Sequence, residues 1–391
     1  MTTFNRTLGT LMCTLLCISS VLGQEVKARN TKIDLPDIPG YITLKADFHL
    51  HTVFSDGHVW PSFRVTEAQN DGLDVISLTE HIDYEGFPEQ LDYNREAGFK
   101  IAEEHAKKTD VLVIRGVEIS PRVPPYHNNA LFLNNVDKLP YDYMKDTQST
   151  FVMKDNIKRE ELMAPFLEVE KQGSFVFYNH PSYNWWDKKD KELFTDIHQE
   201  LLSKGILGGV EVVNSGRYNL IAHRMAEKYN LTLIGNSDAH YEIEGAYKTH
   251  RPMTLVFAKE KTEAAIKEAL LNRRTMVYFD DYLVGRKAEA ESFFQQAVSV
   301  QAKKITTAKA PKLKVSITNN SDIPFELTCV TDYIATNMPL GKIKVPAQQT
   351  VSFELFPVWE FPEKLHIKTT VENILISPDQ VLETQLTAEI K

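Results

Sequence analysis

The order of apolar and polar positions predicts strands and helices in alternation from residue 44 to residue 279. Short apolar runs of the kind that form buried strands are separated by stretches with apolar residues at helical spacing. The predicted strands span residues 46–51, 75–80, 111–119, 130–133, 174–179, 209–213 and 232–237. The predicted helices span residues 61–70, 89–107, 158–171, 190–203, 220–229 and 262–272. Such alternation is typical of a parallel sheet with crossover helices, and seven units predict an α/β fold closed into a barrel over residues 44–285.

The pattern changes after residue 285. Residues 286–311 predict a helical connector over residues 286–300 and a linker rich in Lys, Thr and Ala over residues 303–311. Residues 312–391 contain short strand-like runs separated by turn signals, which indicates a small all-β sandwich. We expect no chemistry in this module, whose single histidine is His366.

The first residues have the composition of a secretory signal. Arg6 precedes an apolar run over residues 8–22, and the small residue Gly23 follows. We therefore expect a signal peptide over residues 1–23, a lead-in over residues 24–43, and an exported protein, periplasmic or secreted, without a membrane span after cleavage. An uncleaved N-terminal anchor is the alternative. Cleavage leaves Cys329 as the single cysteine, so we expect no intrachain disulfide.

Net charge limits the partners. The 391-residue chain carries a formal charge of -9, so its surface as a whole should repel polyanions. We expect no stable nucleic-acid complex, whereas a small phosphate ester attracted to local cations is compatible with this charge. The oligomeric state stays open.

Histidines and acids gather where the predicted strands end. His49 and His51 are two residues apart and so point to the same side of the first strand. Because the carboxyl ends of parallel barrel strands meet at one mouth, we expect the residues at the other strand ends to join them. The candidate metal ligands are His49, His51, Asp56, His81, Glu118, His127, His180, Asp238 and His240.

The ligand types indicate the metals. Six histidines and three carboxylates, with no cysteine, suit Zn, Mn or Fe(II) and are too rich in nitrogen for Ca or Mg. Nine ligands exceed the needs of one ion, so we expect two or three divalent metal ions, with Glu118 bridging two of them. Such a cluster yields hydroxide near neutral pH and neutralises phosphate oxygens during in-line attack.

Five motifs in this order resemble the PHP (polymerase and histidinol phosphatase) superfamily over residues 44–279: His-Xaa-His-Thr-Xaa-Phe-Ser-Asp-Gly, Thr-Glu-His, Gly-Val-Glu-Ile, Asn-His-Pro and Ser-Asp-Ala-His. The resemblance implies a distorted seven-stranded β/α barrel that hydrolyses phosphate esters. It assigns a first metal to His49, His51, Glu118 and Asp238, a second to Glu118, His127 and His180, and a third to Asp56, His81 and His240. The export signal and β module look most like the phosphodiesterase branch called Sb-PDE. Thr79-Glu80-His81 departs from the Thr-Asp-His of many members, which leaves the role of Glu80 uncertain.

Residues near the strand ends are candidates for contacting the substrate. Arg217 could clamp a phosphate oxygen through its planar guanidinium, or form a surface salt bridge. Arg122 is a poorer candidate. Tyr183, Trp185 and Trp186 could form an aromatic wall for a leaving group or a hydrophobic lid on the barrel rim.

The sequence thus predicts a metal-dependent phosphoesterase with a metal-bridging hydroxide as nucleophile, acting on diesters in preference to monoesters. Two alternatives remain: an amidohydrolase-type barrel that cleaves C–N bonds, and a non-catalytic exported metal-binding protein.

Overall fold

The computed structural model describes residues 32–91, 94–144, 152–181, 193–306, 311–357 and 360–391. The predicted signal peptide and the aromatic residues Tyr183, Trp185 and Trp186 lie outside these ranges. Within them, no helix combines the length and apolarity that crossing a membrane requires. Cys329 has a free, buried thiol.

The described helices lie where the apolar spacing predicts them. They are α1 Pro61–Asn70, α2 Ala97–Ala106, α3 Arg159–Lys171, α4 Asp196–Ser203, α5 Leu220–Tyr229, α6 Glu263–Leu271 and α7 Lys287–Ala297. Local signals set several ends: the Asn219 side chain caps α5 by accepting from the Ala222 amide, and α5 ends at Asn230 in the left-handed conformation. Helix α2 starts later than predicted, after a turn in which the Asn94 side chain accepts from the Glu96 amide.

All seven predicted strands are present. The strands of this part are β1 Ile42–Leu50, β2 Val75–Leu78, β3 Leu112–Ile119, β4 Asn128–Leu131, β5 Phe175–Tyr178, β6 Leu207–Asn214, β7 Arg217–Tyr218, β8 Thr232–Asn236, β9 Met253–Ala258, β10 Thr275–Phe279 and β11 Tyr282–Gly285. Strands β1, β2 and β3 pair in parallel, as do β5, β6 and β8.

The α/β fold predicted from the sequence is confirmed, but the sheet is not purely parallel as the alternation of elements indicates. Strand β4 runs antiparallel between β3 and β5, because the connection over residues 120–127 is too short for a crossover. Strand β9, which the strand pattern did not include, lies antiparallel to both β1 and β10. The result is a distorted arrangement of mixed parallel and antiparallel strands.

Strand β8, which pairs with β6, also lies against β1 and β9. The amide of His51 donates to the Ala239 carbonyl, 3.1 Å away, just beyond the end of both strands. Further from the mouth, the Thr254 hydroxyl of β9 donates to the Gly235 carbonyl of β8 at 2.9 Å. Gly235 is required there because a Cβ would lie 2.1 Å from Cγ1 of Val277. The contact at Ala239 brings the residues after β8 next to His49 and His51.

The C-terminal part is a two-sheet β module. Its strands are β12 Val298–Thr306, β13 Pro311–Asn319, β14 Phe325–Val330, β15 Ile334–Thr336, β16 Lys342–Val345, β17 Thr350–Phe356, β18 Lys364–Ser377 and β19 Gln380–Glu389. One sheet has the order β12-β13-β17-β15. In the other, β16, β14, β18 and β19 are neighbours, and β18 pairs in parallel with β11. The second sheet is therefore continuous with the strands of the first part.

The prediction of a linker at residues 303–311 is wrong for its described first half. Strand β12 begins directly after α7 and pairs with β13 from Val298–Asn319 to Thr306–Pro311. Lys303 and Lys304 are exposed on this strand. Pairing of the backbone holds the segment in the sheet even though its side chains are polar, which an apolar pattern cannot reveal.

Helix α7 packs the two parts into one compact unit. Phe293 and Phe294 are buried in a hydrophobic cluster that includes Phe257 of β9 and Phe325 of β14. The rings of Phe294 and Phe325 meet edge to face with centroids 5.1 Å apart. Shared burial of these rings stabilises both parts together.

A buried ion-pair network supports the lower end of β1. The guanidinium of Arg251, fully buried, donates to the Asp71 carboxylate at 2.6 and 2.8 Å. It also lies 3.4 Å from Asp47 of β1, whose carboxylate accepts from the Ser237 hydroxyl at 2.5 Å. Buried charges of both signs satisfy each other here, so the loss of one leaves the others unpaired.

Replacing Arg251 therefore tests this network. We expect Arg251→Met to lower the free energy of unfolding by about 3–5 kcal/mol, because it leaves two buried carboxylates without a cation. Urea unfolding followed by circular dichroism measures the change. In the control Arg159→Met, which removes only exposed pairs with Asp196 and Glu200, stability should stay within error. Equal stability of the two variants would contradict this assignment.

Candidate metal centre

The end of β1 supplies two histidines to the mouth. His49 and His51 are completely buried, and their Nε2 atoms lie 3.1 Å apart. The strand period predicted that they share a side, and Asp47 shares it too. Two imidazole nitrogens this close require a proton or a cation between or beside them.

All nine predicted ligands come together at this mouth. Their candidate ligand atoms form four overlapping groups, and within each group every atom lies within 4.8 Å of the others. The groups are His51, Asp56, His81 and His240; His49, Glu118 and His180; His49, His51 and Asp238; and His81, Glu118 and His127. Since groups share members, the nine side chains form one continuous cluster.

Glu118, at the end of β3, is the centre of the cluster. Its Oε2 lies 3.5 Å from His49, 3.4 Å from His51 and 3.2 Å from His81. Its Oε1 lies 2.9 Å from Nδ1 of His127 and 3.7 Å from His180. One carboxylate thus reaches five imidazoles with its two oxygens on different sets, which is the geometry that a bridging ligand needs.

Asp238 closes the cluster from the end of β8. Its Oδ1 lies 3.2 Å from Nε2 of both His49 and His51. The residue has φ 51°, a left-handed conformation that aspartate tolerates better than most residues. This backbone turn directs the carboxylate back over β1.

Asp56 contacts the histidines on the remaining side of the cluster. Its carboxylate lies 3.5 Å from His51, 3.4 Å from His81 and 3.2 Å from His240. The turn that carries Asp56 is held by Glu80, whose carboxylate accepts from the hydroxyls of Thr52 and Ser55, each 2.5 Å away. Glu80 therefore supports the Asp56 turn and is not among the grouped candidate ligands, which answers the uncertainty about its role.

Four imidazoles at the mouth are successive ring neighbours. Ring centroids are 5.7 Å apart for His180 and His49, 5.1 Å for His49 and His51, and 4.4 Å for His51 and His240. We refer to these four rings as the imidazole row. It has a His180 end and a His240 end.

The carboxylates hold protons on histidines at the cluster. Burial lowers the pKa of His81, but Glu118 and Asp56 outweigh burial and raise that pKa to about 10. In the same way, burial at His240 is outweighed by Asp56 and Asp238, and its pKa is raised to about 9. Imidazolium charge therefore compensates the buried acids.

The pKa of His51 shifts in the opposite direction. Burial, together with the charge of His240, lowers the pKa of His51 to about 4. Burial would raise the pKa of Glu118, yet His81 and other imidazoles keep it well below its usual range. The cluster thus contains ionised carboxylates beside both neutral and protonated imidazoles.

This donor set fits divalent transition-metal ions. Imidazole nitrogens and carboxylate oxygens, without thiolates, are the ligands of Zn, Mn and Fe(II) sites. Among the described residues, Nε2 of His127 is buried and has no hydrogen-bond partner. Ions would replace the protons that now balance the carboxylates.

Sequence reasoning missed Glu211 of β6. This buried carboxylate accepts from Nδ1 of His49 at 2.9 Å, from the His180 amide at 2.9 Å and from the Asn236 side chain at 2.8 Å. It orients His49 so that Nε2 faces the cluster. An acid within the apolar run of residues 209–213 was the available signal.

A second chain of hydrogen bonds orients His81. The Ser120 hydroxyl lies 2.7 Å from Nδ1 of His81 and donates to Asp83 at 2.6 Å. The Tyr143 hydroxyl donates to the other oxygen of Asp83 at 2.9 Å. With Nδ1 held in this way, Nε2 of His81 faces Asp56.

Arg217 lies outside the cluster but beside it. It starts β7, is exposed, and lines a groove with His180, Asn214, Leu220 and Ile221 at the His180 end of the imidazole row. Arg122 is also exposed and lies in the loop after β3. The position of Arg217 suits contact with a bound anion.

Two protein-family models match the chain. A PHP domain model matches residues 47–270, and an Ig-like domain model, DUF5001, matches residues 298–387. The Ig-like match agrees with the two-sheet β module.

Solved structures and a curated relative are similar to the chain. A two-domain protein from Bacteroides vulgatus, described as containing a predicted PHP-like metal-dependent phosphoesterase, aligns over 92% of this chain and 99% of its own, with 33% identity and a TM-score of 0.77. A histidinol phosphate phosphatase from Lactococcus lactis, complexed with zinc, L-histidinol and phosphate, covers 57% of this chain and 93% of its own at 20% identity, with a TM-score of 0.32. An uncharacterised protein from Methanocaldococcus jannaschii is 37% identical over 84 residues, 21% of this chain, and the match spans 36% of the length of that relative.

Glu211→Gln tests the support of His49. The amide keeps the shape but loses the charge that orients the imidazole, so we expect metal affinity to fall about 10–100-fold. Competition with a chelator of known affinity measures the change. Glu227→Gln, at an exposed position of α5, should bind metal like the wild type. Unchanged affinity in Glu211→Gln would show that His49 needs no such support.

The raised histidine pKa values predict proton release. His81 and His240 carry protons at about pH 7, because their pKa values lie near 10 and 9. A cation that binds a ring nitrogen of each histidine must displace these protons. Metal affinity should therefore rise with pH until both imidazoles lose their protons without metal. Calorimetric titration with Mn²⁺ in two buffers of different ionisation heat counts the protons. Heats independent of the buffer would contradict the predicted charge state.

Proposed function

Because the chain belongs to the PHP domain family, a family of metal-dependent phosphoesterases, we propose that it is an exported hydrolase of small phosphate esters that prefers diesters to monoesters. The observation that carries the proposal is the Glu118 carboxylate, 1% exposed and within 3.7 Å of five imidazoles at the open end of the strands. Such a convergence of ionisable groups is costly unless it binds cations.

The residues divide into three ligand sets. His49, His51, Glu118 and Asp238 would hold one ion, Glu118, His127 and His180 a second, and Asp56, His81 and His240 a third. When bound, Zn, Mn or Fe(II) ions supply hydroxide near neutral pH and neutralise charge on the phosphate oxygens. The chain itself fixes the ligands: Glu211 orients His49, and the pair Ser120 and Asp83 orients His81.

Arg217 and its groove support the diester preference. The groove opens beside His180 and contains a guanidinium together with the exposed side chains of Leu220 and Ile221. A guanidinium can donate to a non-bridging phosphate oxygen in a fixed geometry. The apolar side chains leave a surface for a second ester group, which a monoester lacks.

Hydrolysis of p-nitrophenyl esters tests the proposal. We expect Mn- or Zn-loaded protein to hydrolyse bis-p-nitrophenyl phosphate faster than p-nitrophenyl phosphate, and His49→Ala to lose at least about 100-fold in kcat/KM because a ligand of the first set is gone. Release of p-nitrophenolate measures both rates. His366→Ala, in the β module, is the matched control and should retain wild-type activity.

The same assays are carried out with amide and lactone substrates and with the variant Arg217→Met. This variant should lose more activity on the diester than on the monoester. Full diester activity in His49→Ala, or turnover of amides in place of esters, would overturn the proposed function.

A further inference from the structure

The His240 end of the imidazole row carries a pair of stacked rings. His58 and Tyr241 lie face to face, with centroids 4.3 Å apart and planes only 8° from parallel. His58 is two residues after Asp56, and Tyr241 directly follows His240. The amide of His58 donates to the His240 carbonyl at 2.7 Å, so the pair is joined to the backbone of a candidate ligand. We refer to these two rings as the ring pair.

The ring pair is open to solvent. Tyr241 is 65% exposed, and His58 is exposed as well. The aromatic rings of the core, such as Phe293 and Phe294, are completely covered by contrast. An exposed pair of parallel rings presents a flat surface on which another planar ring can stack.

The backbone beneath the ring pair is held in place from α1. The buried guanidinium of Arg64 donates to the carbonyls of Tyr241 and Ala239, each at 2.8 Å, and to the His51 carbonyl at 3.1 Å. The Glu67 carboxylate accepts from the Ile243 amide at 2.5 Å. A surface fixed in this way loses little conformational entropy when a ligand stacks on it.

The two ends of the imidazole row differ in their chemistry. The His180 end opens on the groove with Arg217, Leu220 and Ile221. The His240 end offers the faces of two rings. A phosphodiester on the cluster carries two substituents, and the groove and the ring pair offer two different surfaces for them.

We propose that the ring pair is a binding site for a planar aromatic substituent of the substrate, an aryl group or a nucleobase, while the phosphate lies on the cluster. The inference rests on the proposed function, since it names the class of ester. Any flat ring can stack on these ring faces. The site would therefore favour aromatic esters over alkyl esters without specific hydrogen bonds to the substituent. Tyr241 and His58 would thus determine the specificity for the ester substituent.

Binding of two phosphonates to Mn-loaded protein tests the proposal without catalysis. Phenylphosphonate and methylphosphonate share a phosphate-like group on a C–P bond that ester hydrolysis does not break. We expect the wild type to bind phenylphosphonate about fivefold to tenfold more tightly than methylphosphonate in calorimetric titrations. Tyr241→Ala should reduce this ratio to about one, and His58→Ala should reduce it in part.

Tyr241→Phe is the matched control, because it keeps the ring and should keep the ratio. Metal content is measured for every variant. A ratio near one in the wild type, or an undiminished ratio in Tyr241→Ala, would overturn the proposal. Loss of metal from Tyr241→Ala, with equally weaker binding of both phosphonates, would also overturn the proposal. The Tyr241 ring would then support the metal cluster and not contact the ligand.

The outcome separates this inference from the proposed function. Failure of the wild type to hydrolyse any phosphate ester, with the phosphonate ratio intact in the wild type and lost in Tyr241→Ala, would reject the phosphoesterase but retain the ring pair as a ligand site. Ester hydrolysis with no aromatic preference would retain the phosphoesterase and reject the ring pair.

Discussion

Burial of the Glu118 carboxylate among imidazoles is the interaction on which the rest of the structure depends. Glu118, Asp238 and Asp56 carry negative charge at a mouth where four of the six clustered histidines are buried. Removing such charges from water is unfavourable unless opposite charge lies within a few ångströms. Protons on His81 and His240 supply part of that charge, and divalent cations would supply more of it. The strands around the mouth therefore have to hold acids and imidazoles in register.

Residues beneath the cluster maintain that register. Glu211 binds one side of His49, and Asp83 acts on His81 through Ser120. Arg64 links the carbonyls of His51 and Tyr241, so α1 joins β1 to the loop after β8. The β module makes its contribution further away, through the packing of α7 and the pairing of β18 with β11. The ligand cluster, the residues that support it and the β module thus belong to one compact unit.

Much of this arrangement could be predicted from the sequence, for identifiable reasons. Strand periodicity placed His49 and His51 on one side, and barrel topology placed the other strand ends at the same mouth. The direction of β4 depends on loop length and pairing, and the strand character of residues 298–306 depends on backbone pairing beneath polar side chains, so neither appears in an apolar pattern. Glu211 and Arg64 act through contacts with residues distant in sequence, and only the folded chain shows them. The parallel orientation of His58 and Tyr241 likewise follows from the loop geometry after β1 and β8.

Anomalous X-ray diffraction from crystals of the Mn-loaded protein shows whether Glu118 bridges metal ions at the mouth. Data recorded on both sides of the manganese absorption edge locate the ions without reference to activity. We expect two or three peaks at the mouth, with two ions about 3.5–4 Å apart and the Glu118 carboxylate between them. Crystals soaked in saturating Mn²⁺ that show no peak there, or ions bound without Glu118, would contradict this expectation.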